Sequence, residues 1–209
     1  MTMIIRSLLL LAALLPLTAC AAMRPGGIVA QPSRDWRQVV TTDDRERLRG
    51  WRSAWTEALR QAQARGYGPQ LAAAGVLVQP DAALPGPAIS NGTYRCRVIK
   101  LGARSEGLLP FIAYPHFTCR VRAQADVQGF AKLGGSQRQV GLIFPHDQLR
   151  SVFLGTLVLG DEARAMQYGA DAERDLAGYV ERIGPDRWRL VLPRPRFESL
   201  VDVVELTPA

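Results

Sequence analysis

Arg187-Trp188-Arg189-Leu190-Val191-Leu192 is the stretch that decides the fold. Trp188, Leu190 and Leu192 recur at every second position, the period of a strand that turns one face inward. Gly184-Pro185-Asp186 precedes the run and Pro193 ends it, so turn chemistry brackets it on both sides. The same texture extends outward from it. Candidate strands cover 93–100, 116–123, 127–133, 138–144, 151–159, 176–183, 187–192 and 200–206, with Gly134-Gly135 and Pro145-His146-Asp147 among the punctuating turns. About eight consecutive strands without a βαβ rhythm predict an antiparallel meander. Closing it into a lipocalin-like barrel removes the exposed edges; a β-sandwich is the alternative. The gap from Gly160 to Asp175 is longer and charged, and reads as a mobile loop or a short helix.

Toward the N-terminus the period changes. Leu48, Trp51, Trp55, Ala58, Leu59 and Ala62 recur at three- and four-residue spacing, which predicts one amphipathic helix. Thr41 or Thr42 caps it, Asp43 and Asp44 complement its dipole, and Gly66 and Gly68 end it. A short helical piece covers 70–74, and Pro80, Pro85, Gly86 and Pro87 then mark a linker. The expected domain is therefore 36–209, with helices and linker over 36–90 and the barrel over 91–209. Trp51 and Trp55 are candidates for a surface or membrane-interface site beside Arg45, Arg49, Arg52 and Arg60; packing of that helix on the domain is the competing reading.

Cys96 alternates with Arg95 and Arg97, and Cys119 with Thr118 and Arg120, so both cysteines fall on the apolar faces of their strands. A disulfide between them is the expectation for an exported chain, against two buried free thiols. Export itself is read from the first 19 residues. Arg6 supplies a basic start, and Ser7 to Leu17 form an apolar run too short for a bilayer core, which needs roughly 20 residues. Leu17-Thr18-Ala19-Cys20 resembles the lipobox of bacterial lipoproteins, which implies lipid on Cys20. Ordinary cleavage beside an incidental Cys20 is the alternative. Ala21 after the cysteine implies the outer membrane, facing the periplasm, and residues 20–35 read as a flexible tether.

A net charge of +7 rests almost wholly on arginine, since Lys100 and Lys132 are the only lysines. The arginines alternate with acids instead of forming a tract, which argues against nucleic acid as a partner and for a solvated surface.

Several stretches carry a resemblance. They include Thr93-Tyr94-Arg95-Cys96, Gly134-Gly135-Ser136-Gln137-Arg138, Gly141-Leu142-Ile143-Phe144-Pro145, Phe153-Leu154-Gly155-Thr156, Glu181-Arg182-Ile183-Gly184-Pro185-Asp186-Arg187-Trp188 and Phe197-Glu198-Ser199. With Asp35-Trp36 and Leu48-Arg49-Gly50-Trp51-Arg52 they resemble an uncharacterised family of short exported bacterial proteins, a domain of unknown function. The resemblance implies one domain from about Trp36 onward and carries no chemistry with it. Tyr94-Arg95-Cys96 is also similar to the Tyr-x-Cys that opens the barrel of periplasmic lysozyme-inhibitor lipoproteins, although this chain is longer and has no recognisable inhibitory loop.

Motifs for catalysis are not found: there is no P-loop, GxSxG, HExxH or GxGxxG. His116 and His146 stand apart, each beside a proline, and read as strand-end residues. Asp161, Glu162, Asp171, Glu173 and Asp175 fit no calcium-loop spacing and read as a solvated loop. Neither metal nor cofactor is expected. Tyr168, Asp175 and Arg182 are placed as a polar site at the barrel mouth. The expected function is non-enzymatic: a lipid-anchored envelope protein that binds an apolar ligand or a protein partner. A structural or assembly role is the alternative, and a hydrolase or hydrolase inhibitor a more distant one.

Overall fold

Strand alternation carries through to the architecture of the computed structural model, which describes residues 33–209. The readings placed on 1–32 (the export signal, Cys20 and nearly all of the tether) lie outside the described residues. Eight strands follow one another: β1 (Gly92–Ala103), β2 (Phe111–Gln124), β3 (Val127–Lys132), β4 (Gln137–Pro145), β5 (Arg150–Leu159), β6 (Asp175–Gly184), β7 (Arg187–Pro193) and β8 (Ser199–Pro208). Each pairs antiparallel with the next, and β8 returns to β1 from Ala103↔Ser199 to Tyr94↔Pro208. The sheet is a closed barrel, not a sandwich.

The largest departure from the expected strands is at β2, which begins at Phe111 instead of 116. Tyr114 and Pro115 stand opposite the single Val98, between the pairs Arg97↔His116 and Ile99↔Ala113. Such a bulge is where a strand tolerates a residue with no N–H for the ladder, so Pro115 interrupts the pattern without ending the strand.

Alternate residues fill the interior. Tyr94, Cys96, Val121, Phe130, Phe153, Val180, Trp188, Leu190 and Leu206 form one buried cluster there. Gly141 pairs with Gly155, and a Cβ on Gly155 would come within 2.6 Å of the Phe153 ring, so this glycine pair makes room for that ring. Cys96 and Cys119 are joined by a disulfide inside this cluster.

Part of the outward face is covered by helices, which differ from expectation. Instead of one helix there are two, α1 (Thr42–Arg49) and α2 (Trp51–Ala64), parted at Gly50. Thr41 caps α1 through Asp44 N–H at 3.3 Å. The stripe divides because its two halves pack on different walls of a curved barrel. Leu48 joins Trp36, Val152, Leu154 and Ala177, whereas Ala54, Trp55, Ala58 and Ala62 pack on Ile99, Leu101, Val201 and Val203. Gly50, a poor helix former, takes the break. Next come α3 (Gly68–Ala74) and a 3-10 turn, Gly75–Val78.

Below the 3-10 turn lies an ion pair with no exposure at all, Arg189–Glu181 at 2.6 Å. Arg189 also donates to the carbonyls of Val76, Leu77, Gln79 and Pro80, and Arg150 reaches Glu181 from the other side at 2.6 Å. From there the linker crosses one end of the barrel and closes it. Leu84 bridges to Arg182, Trp188 Nε1 donates to Ala88 O at 3.2 Å, Tyr94 Oη donates to Ser90 O at 2.7 Å, and Ile89 enters the core. The 160–175 segment contains no helix. Arg138 holds it through the carbonyls of Gly160 and Glu162 at 2.6 and 2.7 Å.

Two outcomes are expected in urea denaturation. Replacing Cys96 and Cys119 together by alanine opens a link across 23 residues and lowers stability by roughly 3 kcal/mol. Arg189→Met strips a buried carboxylate of one partner and four carbonyls of their donor, at a cost of about 3–5 kcal/mol. A loss below about 1 kcal/mol for the second variant would mean that apolar contacts alone hold the helical segment in place.

Candidate functional site

Following each inward row to the open end of the barrel leads from apolar to polar side chains. On β1 the row reads Cys96, Val98, Lys100; on β8 it reads Leu206, Val204, Asp202, cross-paired with the first. On β3 it reads Phe130, Lys132, and on β4 Ile143, Gly141, Gln139. These ends surround a cavity of about 110 Å³ that opens to solvent, with Val98, Tyr114 and Phe117 as its apolar wall. Lys100, Lys132, Gln139 and Glu198 supply its polar lining.

The two lysines of this mouth are in opposite states. Lys100 Nζ lies 3.1 Å from both Asp202 and Glu198. Burial opposes its charge, but the two carboxylates outweigh burial and hold its pKa above the usual lysine value. The Ser199 hydroxyl donates to Asp202 and fixes that carboxylate in turn. Glu198 has φ +63°, a left-handed conformation uncommon outside glycine, directly at the rim.

Lys132 is only 3% exposed and, among the described residues, no carboxylate pairs with it. Its Nζ donates to Gly134 O and to Gln137 O at 2.9 Å, and lies 3.7 Å from the Phe117 ring. Burial, with like charge from Arg138 and Lys100, pushes its pKa down to about 8. Gly135, at φ +82°, lets the turn fold over the ammonium; a Cβ there would sit 2.9 Å from Nζ. Beside it Gln139 is 2% exposed, and its Oε1 has no hydrogen-bond partner. A buried amide oxygen without a donor and an ammonium without a counter-ion are both costly unless a ligand or water completes them.

A family model described as a domain of unknown function, DUF4893, matches residues 36–206. The chain belongs to that family. No curated protein and no solved structure matches it.

In this DUF4893 chain Trp51, Trp55, Tyr168, Asp175 and Arg182 do not form one site. Trp55 is fully buried: its Nε1 donates to Val78 O at 3.0 Å and Arg189 stacks 4.5 Å over its ring. Trp51 is half-buried, edge-on to Trp55 and Tyr179, with Arg150 over its ring. Both belong to the helix–barrel seam, and Trp55 is not available to a membrane. The expected trio at the mouth also separates. Tyr168 Oη donates to Asp44 at 2.6 Å, and Asp175 Oδ1 accepts from Gly169 N–H at 2.9 Å, both outside the barrel beside α1. Burial raises the pKa of each. Arg182 lies seven residues further along β6, roughly 23 Å by strand rise, and donates to Pro85 O at the closed end.

Two of the remaining candidates are occupied structurally. His146 lies edge-on to Trp36 at 5.4 Å and stacks on Tyr179, and burial lowers its pKa. Glu162 is held by Arg174 at 2.7 Å and by Leu159 N–H. Among the described residues no group of three His, Cys, Asp or Glu side chains is placed to hold a metal ion.

Lys100, Lys132, Gln139, Glu198 and Asp202 escaped the sequence reading. The available signal was parity: the chain's two lysines both fall on inward positions of expected strands, where charge is costly.

Lys132 makes a testable contribution to stability. Its folded pKa, about 8, lies below the unfolded value of about 10.4, so the unfolded chain binds more protons between those pH values. Stability from this group therefore rises with pH across that window. Denaturation of wild type and Lys132→Met at pH 7 to 10 is expected to show the rise in the former only; parallel curves would place the lysine's pKa near its ordinary value.

Proposed function

We propose that this DUF4893 protein is a non-enzymatic binding protein of the bacterial cell envelope, exported, lipidated on Cys20, and using the polar mouth of its barrel as the binding site. One observation carries the binding half: Lys132 is buried without a counter-ion in a cavity open to solvent. A charge in that position is destabilising for the empty protein and becomes favourable once an anionic group enters. Side chains of the barrel itself pack its interior, which favours the mouth over an internal apolar site.

The address half rests on the first twenty residues and on the disulfide. A basic start, a short apolar run and Cys20 after small residues are what an anchored export signal requires. The Cys96–Cys119 link suits an oxidising compartment such as the periplasm. The polarity of the barrel supports a water-surrounded location. Its interior is apolar, and Arg95, Arg97, Arg120 and Arg122 stand on the outward face of β1 and β2, the reverse of a transmembrane barrel.

Fractionation of cells producing the full chain tests the address. The wild type is expected with the membranes and Cys20→Ala in the soluble fraction. Retention of Cys20→Ala on membranes would overturn the lipid anchor.

A further inference from the structure

We propose that the mouth of the barrel binds a small 2-hydroxycarboxylate, its carboxylate on Lys132 and its hydroxyl on Gln139. This rests on the mouth being the binding site and names what enters it. The two unsatisfied groups are of opposite kinds and both line one cavity. Lys132 Nζ has three donors and gives two to carbonyls, so it has one left for an anionic oxygen. Gln139 Oε1 calls for a donor, which a plain carboxylate or a phosphate-monoester dianion does not carry. A ligand that satisfies both presents a carboxylate with an O–H next to it.

Charge selects further. Glu198 and Asp202 both pair with Lys100, which leaves Lys132 as the cation of the cavity lining without a carboxylate partner. A monoanion balances it. A phosphate-monoester dianion overshoots and sets its second charge beside Glu198, whose carboxylate is already at the rim. An amino acid would bring an ammonium in beside Lys100 and Lys132, so the hydroxyl is the better neighbour for Gln139.

Size agrees. A cavity of about 150 Å³ holds benzene, so the 110 Å³ found here takes about four to six heavy atoms, the size of glycolate or lactate. Val98, Tyr114 and Phe117 give a methyl or methylene group an apolar surface. Phe117 keeps the ammonium oriented from below.

Calorimetric titration of the full-length protein in detergent at pH 7 decides it, with glycolate, lactate, propionate, alanine and inorganic phosphate as probes. Glycolate or lactate is expected to bind, and propionate, which has no hydroxyl, about tenfold more weakly. Gln139→Leu is expected to erase that difference, and Lys132→Met to abolish binding of both. Propionate, alanine or phosphate binding as tightly as glycolate would overturn the hydroxycarboxylate assignment and leave the mouth as a general anion site. No binding by any probe, or binding that Lys132→Met does not change, would overturn the mouth as a site altogether. The wild-type comparison of glycolate with propionate needs no variant, so it decides the hydroxyl even if a substitution unfolds the chain.

Discussion

The Arg189–Glu181 pair is the constraint on which the rest of the structure depends. Both side chains have no exposure, and they lie on the outside of the barrel, on β7 and β6, where the alternation of a strand would ordinarily put them in water. Covering them is what the N-terminal segment does. Arg189 gathers the carbonyls of Val76, Leu77, Gln79 and Pro80 at the end of a 3-10 turn; of these, Val76 and Gln79 also accept from backbone N–H groups, of Gln79 and Ala82. Trp55 lies over the guanidinium and Trp51 over Arg150, and each charge of the seam is matched or hydrogen-bonded. A buried pair of this kind is weak as a source of net stability, yet it tolerates only one docking of the helices.

From that docking the two ends of the barrel follow. Once the chain leaves Arg189 at Pro80, the linker is directed across the nearer opening, where Ile89 and the backbone at Pro85, Ala88 and Ser90 complete Arg182, Trp188 and Tyr94. The opposite end has no such cover and is lined by the ends of β1, β3, β4 and β8. The barrel is thus a plugged cup filled nearly to its rim, and its polar chemistry is confined to the rim.

The fold was legible because closure of a meander needs only alternation and turns, and the sequence has both. Five of the strands fall within one residue of where the pattern puts them, and Cys96 and Cys119 meet on the inner face as their parity requires. What the pattern could not reveal is where one periodicity serves two surfaces. Leu48 and Trp55 lie on one helical stripe in projection, but Gly50 turns them onto different walls. Pro115 hid the start of β2 because a bulge, which depends on the partner strand, made the proline harmless. Tyr168, Asp175 and Arg182 were grouped by their position near loops, whereas successive residues of β6 alternate between outside and inside, and seven steps along the strand span most of the barrel's height.

The same parity that filled the interior also explains why the site was missed and why it is where it is. An inward row of Cys96, Val98 and Lys100 reads as an apolar strand with a polar end, and a lysine at a strand end is ordinarily solvated. Here three other rows end in polar residues at the same level, so Lys100, Lys132, Gln139 and Asp202 enclose one another. Lys100 is neutralised within the chain by Asp202 and Glu198, while Lys132 receives only carbonyl oxygens and an aromatic face. A carboxylate from β4 would have matched it, and that strand offers the neutral Gln139 instead. That asymmetry is the ground for proposing a site here: Lys100 is matched within the chain, and Lys132 has no carboxylate partner among the described residues.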